Sequence, residues 1–331
     1  MRPKVSDALA AGREVRGTTS PNPPVGCALY DERGALIATG GTEPAGGAHA
    51  EIVALRKAGE RARGATAVVT LEPCNHTGRT GPCSHALAEA GISRVIYLTP
   101  DPNLQASGGA QYLHSRGVEA VYHRHVVPDL IPWLTSMRLK RPAVTIKFAA
   151  SVDGFTAAPD GTSQWITGPA AREHVHVDRA RRDAIVVGTG TVLADDPSLT
   201  ARYPDGSLRD QQPRRVVVGT RDVPEGNLTR LGYEQFPTID EALSALYDEG
   251  VRDILVEGGA GLTTSFVEAG YADCVQAYVA PMLMGAGRGV LARGLGGTLT
   301  EMPRFEVVDT SYFEGDVLIE MAKDLDVYWT R

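Results

Sequence analysis

His49-Ala50-Glu51, Pro73-Cys74 and Cys83 constrain the fold of this chain more than any other feature. One imidazole and two thiolates fill three of the four tetrahedral positions around Zn²⁺, and the fourth stays open for water. The glutamate two places after the histidine is the proton carrier such a water needs. A fold that uses this set must bring three separated segments to one point. His49 and Glu51 fall at the start of one predicted helix, and Cys74 and Cys83 flank the start of another. The positive end of a helix favours thiolate over thiol, so the placement itself promotes metal binding.

The rest of the first half supplies elements that can do this. Residues 25–30 read as a strand and 35–39 as its hairpin partner. Apolar residues at helical spacing mark a helix over 50–58. Strands over 67–71, 94–98 and 118–122 alternate with helices over 84–90 and 109–116. This is an α/β sandwich around a central sheet. A connecting helix over 126–139 runs into Lys140-Arg141-Pro142, which places a boundary near Arg141 and predicts two domains, 1–141 and 142–331. In the second half strands are expected at 143–149, 184–187, 215–218, 253–256 and 274–280. Helices are expected at 169–180, 239–248 and 262–269, with a closing hairpin at 304–310 and 316–322.

The chain has 331 residues, too many for a single core of ordinary size, and a hydrophobic content of 43% fits a globular protein. A formal net charge of -7 argues for a small-molecule substrate and against nucleic acid as partner. The N-terminus shows no secretory pattern, and no apolar run has the length of a membrane span. Of four cysteines two belong to the metal set. Cys27 and Cys274 read as buried apolar residues, without a disulfide framework, so a cytoplasmic location is expected.

Histidine, glutamate and Pro-Cys in this order are the elements of the zinc-dependent nucleobase deaminases, so the first half reads as a hydrolytic deaminase. Two other readings stay open on the residues alone. One is a deaminase of nucleic-acid bases. The other is a zinc-stabilised binding protein, its site closed by His76 or His85. Eight residues separate the cysteines, a polar and basic insert suited to an anionic substrate group or to a plain loop. In the second half, Val256-Glu257-Gly258-Gly259-Ala260-Gly261 follows a strand and opens a helix. Such a turn either offers backbone N–H groups to a phosphate or simply needs glycine freedom. Patches at 151–154, 163–167 and 191–197 read as loops above a sheet, and Arg179 and Arg202 as surface arginines or phosphate ligands.

These segments together carry a resemblance. Residues 19–26, His49-Ala50-Glu51, residues 71–80 and Asp101-Pro102-Asn103 resemble the bifunctional diaminohydroxyphosphoribosylaminopyrimidine deaminase and reductase of riboflavin biosynthesis. The resemblance implies an N-terminal cytidine-deaminase-like α/β/α domain and a C-terminal α/β domain similar to dihydrofolate reductase. It implies that Asn22, His76 and Arg79 hold the pyrimidine or phosphate of a pyrimidine ribosyl phosphate. It assigns NADPH to Ala149, Trp165, Thr191, Asp195 and Thr220, and to the turn Gly259, Ala260, Gly261, Leu262, Thr263, Thr264 and Ser265. Ser163, Arg179, Leu199, Arg202 and Glu257 would bind substrate in the reductase half. Pairing of reductase domains into a homo-oligomer is implied as well. The chain departs from the family pattern at Thr42, Asn75, Leu104 and Ala106, and it is short between Thr220 and Thr238. That shortening implies a trimmed strand or loop near the cofactor's adenosine end. An alternative follows, a deaminase whose reductase half is impaired for its cofactor.

Overall fold

The computed structural model describes residues 4–76, 81–103 and 107–325. Two compact units divide at Arg138 and Leu139.

The first unit runs through α1 (Ser6–Val15), β1 (Gly26–Tyr30), β2 (Leu36–Gly41), α2 (Ala50–Ala58), β3 (Thr66–Val69), α3 (Cys83–Glu89), β4 (Arg94–Tyr97), α4 (Gly109–Ser115), β5 (Glu119–Tyr122) and α5 (Ile131–Leu139). Its sheet has the order β2-β1-β3-β4-β5. β1 is antiparallel to both neighbours, and β3, β4 and β5 are parallel. Two adjacent glycines show how the layers are set. A Cβ on Gly40 would lie 2.3 Å from the Ala50 carbonyl oxygen, and one on Gly41 would lie 2.5 Å from Val15 Cγ1. Neighbouring strand residues face opposite ways, so α2 and α1 press on opposite faces of β2. The result is an α/β/α sandwich in which all five residues of β1 are buried. Helix α1 carries no motif of its own, and the expected connecting helix is shortened to α5 behind a 3₁₀ turn at Pro128–Leu130.

The second unit, Leu139–Asp324, runs through β6 (Ala143–Ser151), β7 (Phe155–Ala157), α6 (Pro169–Arg179), β8 (Ala184–Gly188), α7 (Thr189–Asp195), β9 (Arg214–Val218), α8 (Asn227–Leu231), β10 (Glu234–Phe236), α9 (Ile239–Asp248), β11 (Asp253–Val256), α10 (Ala260–Glu268), β12 (Cys274–Ala280), β13 (Arg288–Gly289), β14 (Glu306–Phe313) and β15 (Asp316–Ala322). The order of its large sheet is β10-β9-β8-β11-β6-β12-β15-β14. The first six strands are parallel, and β15 and β14 are antiparallel. Alternation splits the strands cleanly. Val144, Ile146, Val186, Ile254 and Val256 pack with Leu243 and Leu246 of α9 and Phe266 of α10. The opposite face is apolar under α7 and α8, through Ile185, Val187 and Leu255.

Under α6 the same face turns polar. Buried Arg182 bonds both Asp178 oxygens, Asp253 and Thr145. Residues 191–195, expected as loop, are the greater part of α7, because Val192 docks into that apolar face. The segment from Thr220 to Thr238 keeps an edge strand, β10, paired in parallel with β9. No helix among the described residues is long and apolar enough to cross a membrane.

Candidate active sites

In the first unit the three expected metal donors meet. His49 caps the N-terminus of α2, Cys83 is the first residue of α3, and Cys74 lies in the turn that follows β3. His49 Nδ1 is 3.5 Å from Cys74 Sγ and 3.3 Å from Cys83 Sγ. Zinc bonds of about 2.3 Å to sulfur and about 2.0 Å to nitrogen in a tetrahedron set these donors about 3.5 Å apart. All three donor atoms lie within 4.8 Å of one another. The set fits a single zinc ion.

Local geometry explains the convergence. The Cys83 amide, at the start of α3, donates to Cys74 Sγ at 3.4 Å, and the Ser84 amide donates to the Cys74 carbonyl at 3.2 Å. Gly109 at the start of α4 lies so close to the turn that a Cβ there would sit 1.8 Å from the Pro73 carbonyl oxygen. The buried Glu72 carboxylate accepts long hydrogen bonds from the amides of Asp101 and Ala110. The turn is thereby held between α3, α4 and the end of β4. Glu72 escapes motif reading, although a carboxylate inside an apolar run is the signal that would find it.

The hydrogen bond from Cys83 pulls Cys74 down to about 4, while that contact and burial push Cys83 up. His49 is raised, chiefly by its bond to Cys74. Glu51 is 4% exposed, and burial, then the Cys74 charge, raise it to about 7. A carboxyl near neutrality is suited to taking a proton and giving it back.

The alternative fourth ligands are directed elsewhere. His85 stacks on Tyr112 with ring centroids 3.9 Å apart, and His76 is exposed. Neither joins the donor cluster among the described residues. Asn22 lies in a turn before β1, its amide bonded to the Thr19 carbonyl. Asp101 is raised to about 6, first by burial, with His76 acting in the opposite direction. Arg79, Leu104 and Ala106 lie outside the described residues. Thr42 is a structural residue whose hydroxyl accepts from the Val25 amide, and Asn75 accepts from Ser84 Oγ.

In the second unit a cavity of about 840 Å³ opens at the C-terminal ends of the parallel strands, where ligands bind in such sheets. Ala149, Thr191, Asp195 and Ser163 line it, as do Glu257 and the turn from Gly259 to Thr263 with Ser265. The Gly259 amide donates to Thr191 Oγ1 at 3.0 Å, tying the start of α10 to α7. Gly261 has open space where a Cβ would stand, so a ligand can approach the backbone of the first turn of α10. The size of the cavity and this glycine-lined turn fit a dinucleotide.

Its floor is charged. Glu257 receives two hydrogen bonds from Arg179, at 2.7 and 2.8 Å, and Lys147 Nζ lies 3.7 Å away. Burial opposes the Glu257 charge, but Arg179 and then Lys147 hold the carboxylate down at about 2. Burial lowers Lys147. Arg179 also bonds the Thr200 carbonyl and is therefore committed to the protein rather than free for a phosphate.

Other expected residues lie off the cavity lining. Trp165 is exposed and stacks with Arg172. Thr220 is exposed, and Leu199 is buried in apolar core. Thr264 is buried, its hydroxyl bonded to Ala260 and Ala292, and Arg202 bonds Thr200 and Gly206. Sequence reasoning does not reach Lys147 or Arg221, both on the lining. A lone lysine inside the apolar run of β6 is a signal for the first, and nothing marks the second.

Comparison with known proteins bears on both units. The family model described as RibD C-terminal domain matches residues 142–319. The model described as cytidine and deoxycytidylate deaminase zinc-binding region matches residues 5–99. The riboflavin biosynthesis protein RibD of Corynebacterium ammoniagenes is 58% identical, over 88% of this chain and 89% of its own. The chain belongs to the RibD family of riboflavin biosynthesis proteins. The Escherichia coli member is 36% identical over 95% of this chain and 97% of its own. Acinetobacter baumannii RibD, form 1, superposes with a TM-score of 0.79 at 34% identity, covering 96% of this chain and 97% of that one. A Thermotoga maritima structure described as a diaminohydroxyphosphoribosylaminopyrimidine deaminase and 5-amino-6-(5-phosphoribosylamino)uracil reductase gives 0.80 at 30% identity, with the same coverage. Like other RibD proteins, the chain is bifunctional, with a zinc-binding deaminase domain and a reductase domain.

Proposed function

We propose that the chain deaminates 2,5-diamino-6-ribosylamino-4(3H)-pyrimidinone 5′-phosphate in residues 1–141. Residues 142–331 would then reduce the ribosyl side chain with NADPH, giving 5-amino-6-ribitylamino-uracil 5′-phosphate. The observation that carries the first step is the His49, Cys74 and Cys83 donor set beside buried Glu51. These three residues would hold zinc, which supplies a Lewis acid that activates water for attack on the ring carbon bearing the amino group. Glu51 takes one proton from the attacking water and passes it to the ring nitrogen, then takes the second from the hydroxyl of the adduct and gives it to the amine, which departs as ammonia while the ring carbonyl forms. Asn22, His76 and Arg79 orient the pyrimidine and its phosphate.

The second step is supported by the long cavity above the sheet. NADPH would supply the hydride to the ribose carbon that bears the amino group, in its ring-opened imine form. Ala149, Thr191, Asp195 and the turn from Gly259 would hold the cofactor, while Trp165 and Thr220, both exposed, lie off this lining. Ser163 and Glu257 on the lining would mark the substrate side, with Arg179 behind Glu257, while Leu199 in the core and Arg202 on Thr200 and Gly206 stand away from it. Arg179 acts through Glu257, which it keeps ionised and fixed. The protein works in the cytoplasm on a free nucleotide, as a homo-oligomer paired through the reductase domain.

Mass spectrometry of the products tests the order. The zinc-loaded chain with substrate alone should exchange one ring imino group for oxygen, and added NADPH should then add two hydrogens. Reduction of a species that still carries the 2-amino group would contradict the sequence of steps. Unchanged substrate in both reactions would contradict the function.

A further inference from the structure

Arg221 stands just beyond the C-terminal end of β9 and lines the large cavity. Its Nε donates to Thr189 Oγ1 at 3.1 Å, which fixes the guanidinium against the first turn of α7. Its Nη groups make no hydrogen bond or ion pair among the described residues. Its main chain is fixed as well, since the Arg221 carbonyl accepts from Gln235 Nε2 at 2.9 Å. A planar fork anchored on one edge and uncommitted on the other is a phosphate-binding arrangement.

Topology says which phosphate. Lys147, midway along β6, and Glu257, just past the end of the neighbouring β11, mark where charge gathers around the reacting carbon. Helix α10 follows β11 directly, so the first turn of α10 lies beside them. β9 is three places from β6 in the sheet order, a separation of roughly 14 Å at ordinary strand spacing. A dinucleotide whose reactive ring lies over β6 and whose pyrophosphate lies at α10 carries its adenosine toward β9. Asp195, the acidic group on the lining besides Glu257, is at the far end of α7 from Thr189, roughly 9 Å along the helix. Arg288, the other arginine on the lining and without a side-chain bond among the described residues, is on β13 against β7, at the β6 end of the cavity.

We infer that Arg221 binds the 2′-phosphate on the adenosine ribose and so selects NADPH over NADH. The inference rests on reading residues 142–331 as a nicotinamide-dependent reductase. It also gives the short segment after Thr220 a function, because the arginine stands at its start.

Calorimetric titration of the full chain with NADPH, NADH and adenosine 2′,5′-bisphosphate tests it without turnover. Arg221→Ala should weaken NADPH and the bisphosphate about 10- to 100-fold and leave NADH within about twofold. Arg221→Lys should recover part of the loss, and added salt should erode the wild-type preference. Thermal melts of both variants exclude misfolding as the cause. Unchanged NADPH and bisphosphate affinity in Arg221→Ala would overturn the assignment, as would a loss that follows Arg288→Ala instead. Equal wild-type affinity for NADH and NADPH would overturn the selection while leaving a reductase in place. Binding of neither dinucleotide by the wild type would remove the reductase reading, and this inference with it.

Discussion

His49, Cys74 and Cys83 gather two sulfurs and a nitrogen with no fourth protein donor among the described residues, whereas Glu257 meets Arg179 and Lys147 within its own unit. The first centre needs a cation from outside to hold both of its cysteines as thiolates. The second is neutralised by the chain itself and is complete before any ligand arrives. Each centre should therefore fail under a different challenge. Removing metal should disable the first and spare the second, while acid or loss of a single partner should unsettle the second through its own ion pairs.

The largest effect is expected from Glu51→Gln. Ammonia release should fall by about a thousandfold, within the range for loss of a general acid–base group. Zinc content by elemental analysis should stay unchanged, and NADPH oxidation on pre-deaminated substrate should continue. Retained ammonia release would remove Glu51 from its role.

Cys83→Ala should come next, abolishing stoichiometric zinc binding while leaving NADPH binding intact. In the wild type, zinc uptake should release protons, measurable in two buffers of different ionisation enthalpy, because Cys83 is held as a thiol and metal binding requires thiolate. Zinc retained in full by the alanine variant would mean that another ligand completes the site.

Arg179→Ala should destabilise the second unit by about 3–5 kcal/mol, because it strips Glu257 of its bidentate partner in a buried site. Replacing both, as Arg179→Met with Glu257→Leu, should restore much of the stability but not the reductase activity. A single variant as stable as wild type would show that Lys147 suffices for the charge.

A smaller, graded effect is expected from pH. The folded Glu257 carboxyl is depressed from 4.5 to about 2. Its contribution is therefore complete above the unfolded value and is lost as pH falls through the folded one. Hydrogen exchange of β11 amides should report a loss on the order of 3 kcal/mol between about pH 5 and pH 2. Glu257→Gln should flatten that slope, and an unaltered slope in the variant would assign the acid sensitivity to other carboxylates.

The same contrast explains what the sequence reveals. The metal set is legible because cysteine, histidine and glutamate at those spacings do chemistry that few other arrangements can. Its supports are harder to read, since Glu72 and Gly109 act through a turn that only the fold brings together. In the second unit the long strands are legible from apolar runs, whereas the two- and three-residue strands β7, β10 and β13 are too short to show one. The cavity is not legible, because backbone amides and common residues from β6 to β13 line it. Helix α7 reads as a loop because residues 191–197 are a cluster of hydrogen-bonding groups at the end of an apolar run, and packing of Val192 overrides that pattern. Glu257 is visible as a lone acid after an apolar strand, but its bond to Arg179 depends on how α6 crosses the sheet.

Chelation in a doubly monitored reaction tests the separation of the two centres most directly. The full chain would be given substrate and NADPH, and ammonia and absorbance would be followed together, with and without a zinc chelator. Without chelator, ammonia should appear first and NADPH should fall in equal amount behind it. With chelator, both signals should stop, and pre-deaminated substrate should restore NADPH oxidation alone. NADPH oxidation that stays blocked on that substrate, while its binding persists, would mean that the second centre also depends on metal. That would contradict the independence of the two sites.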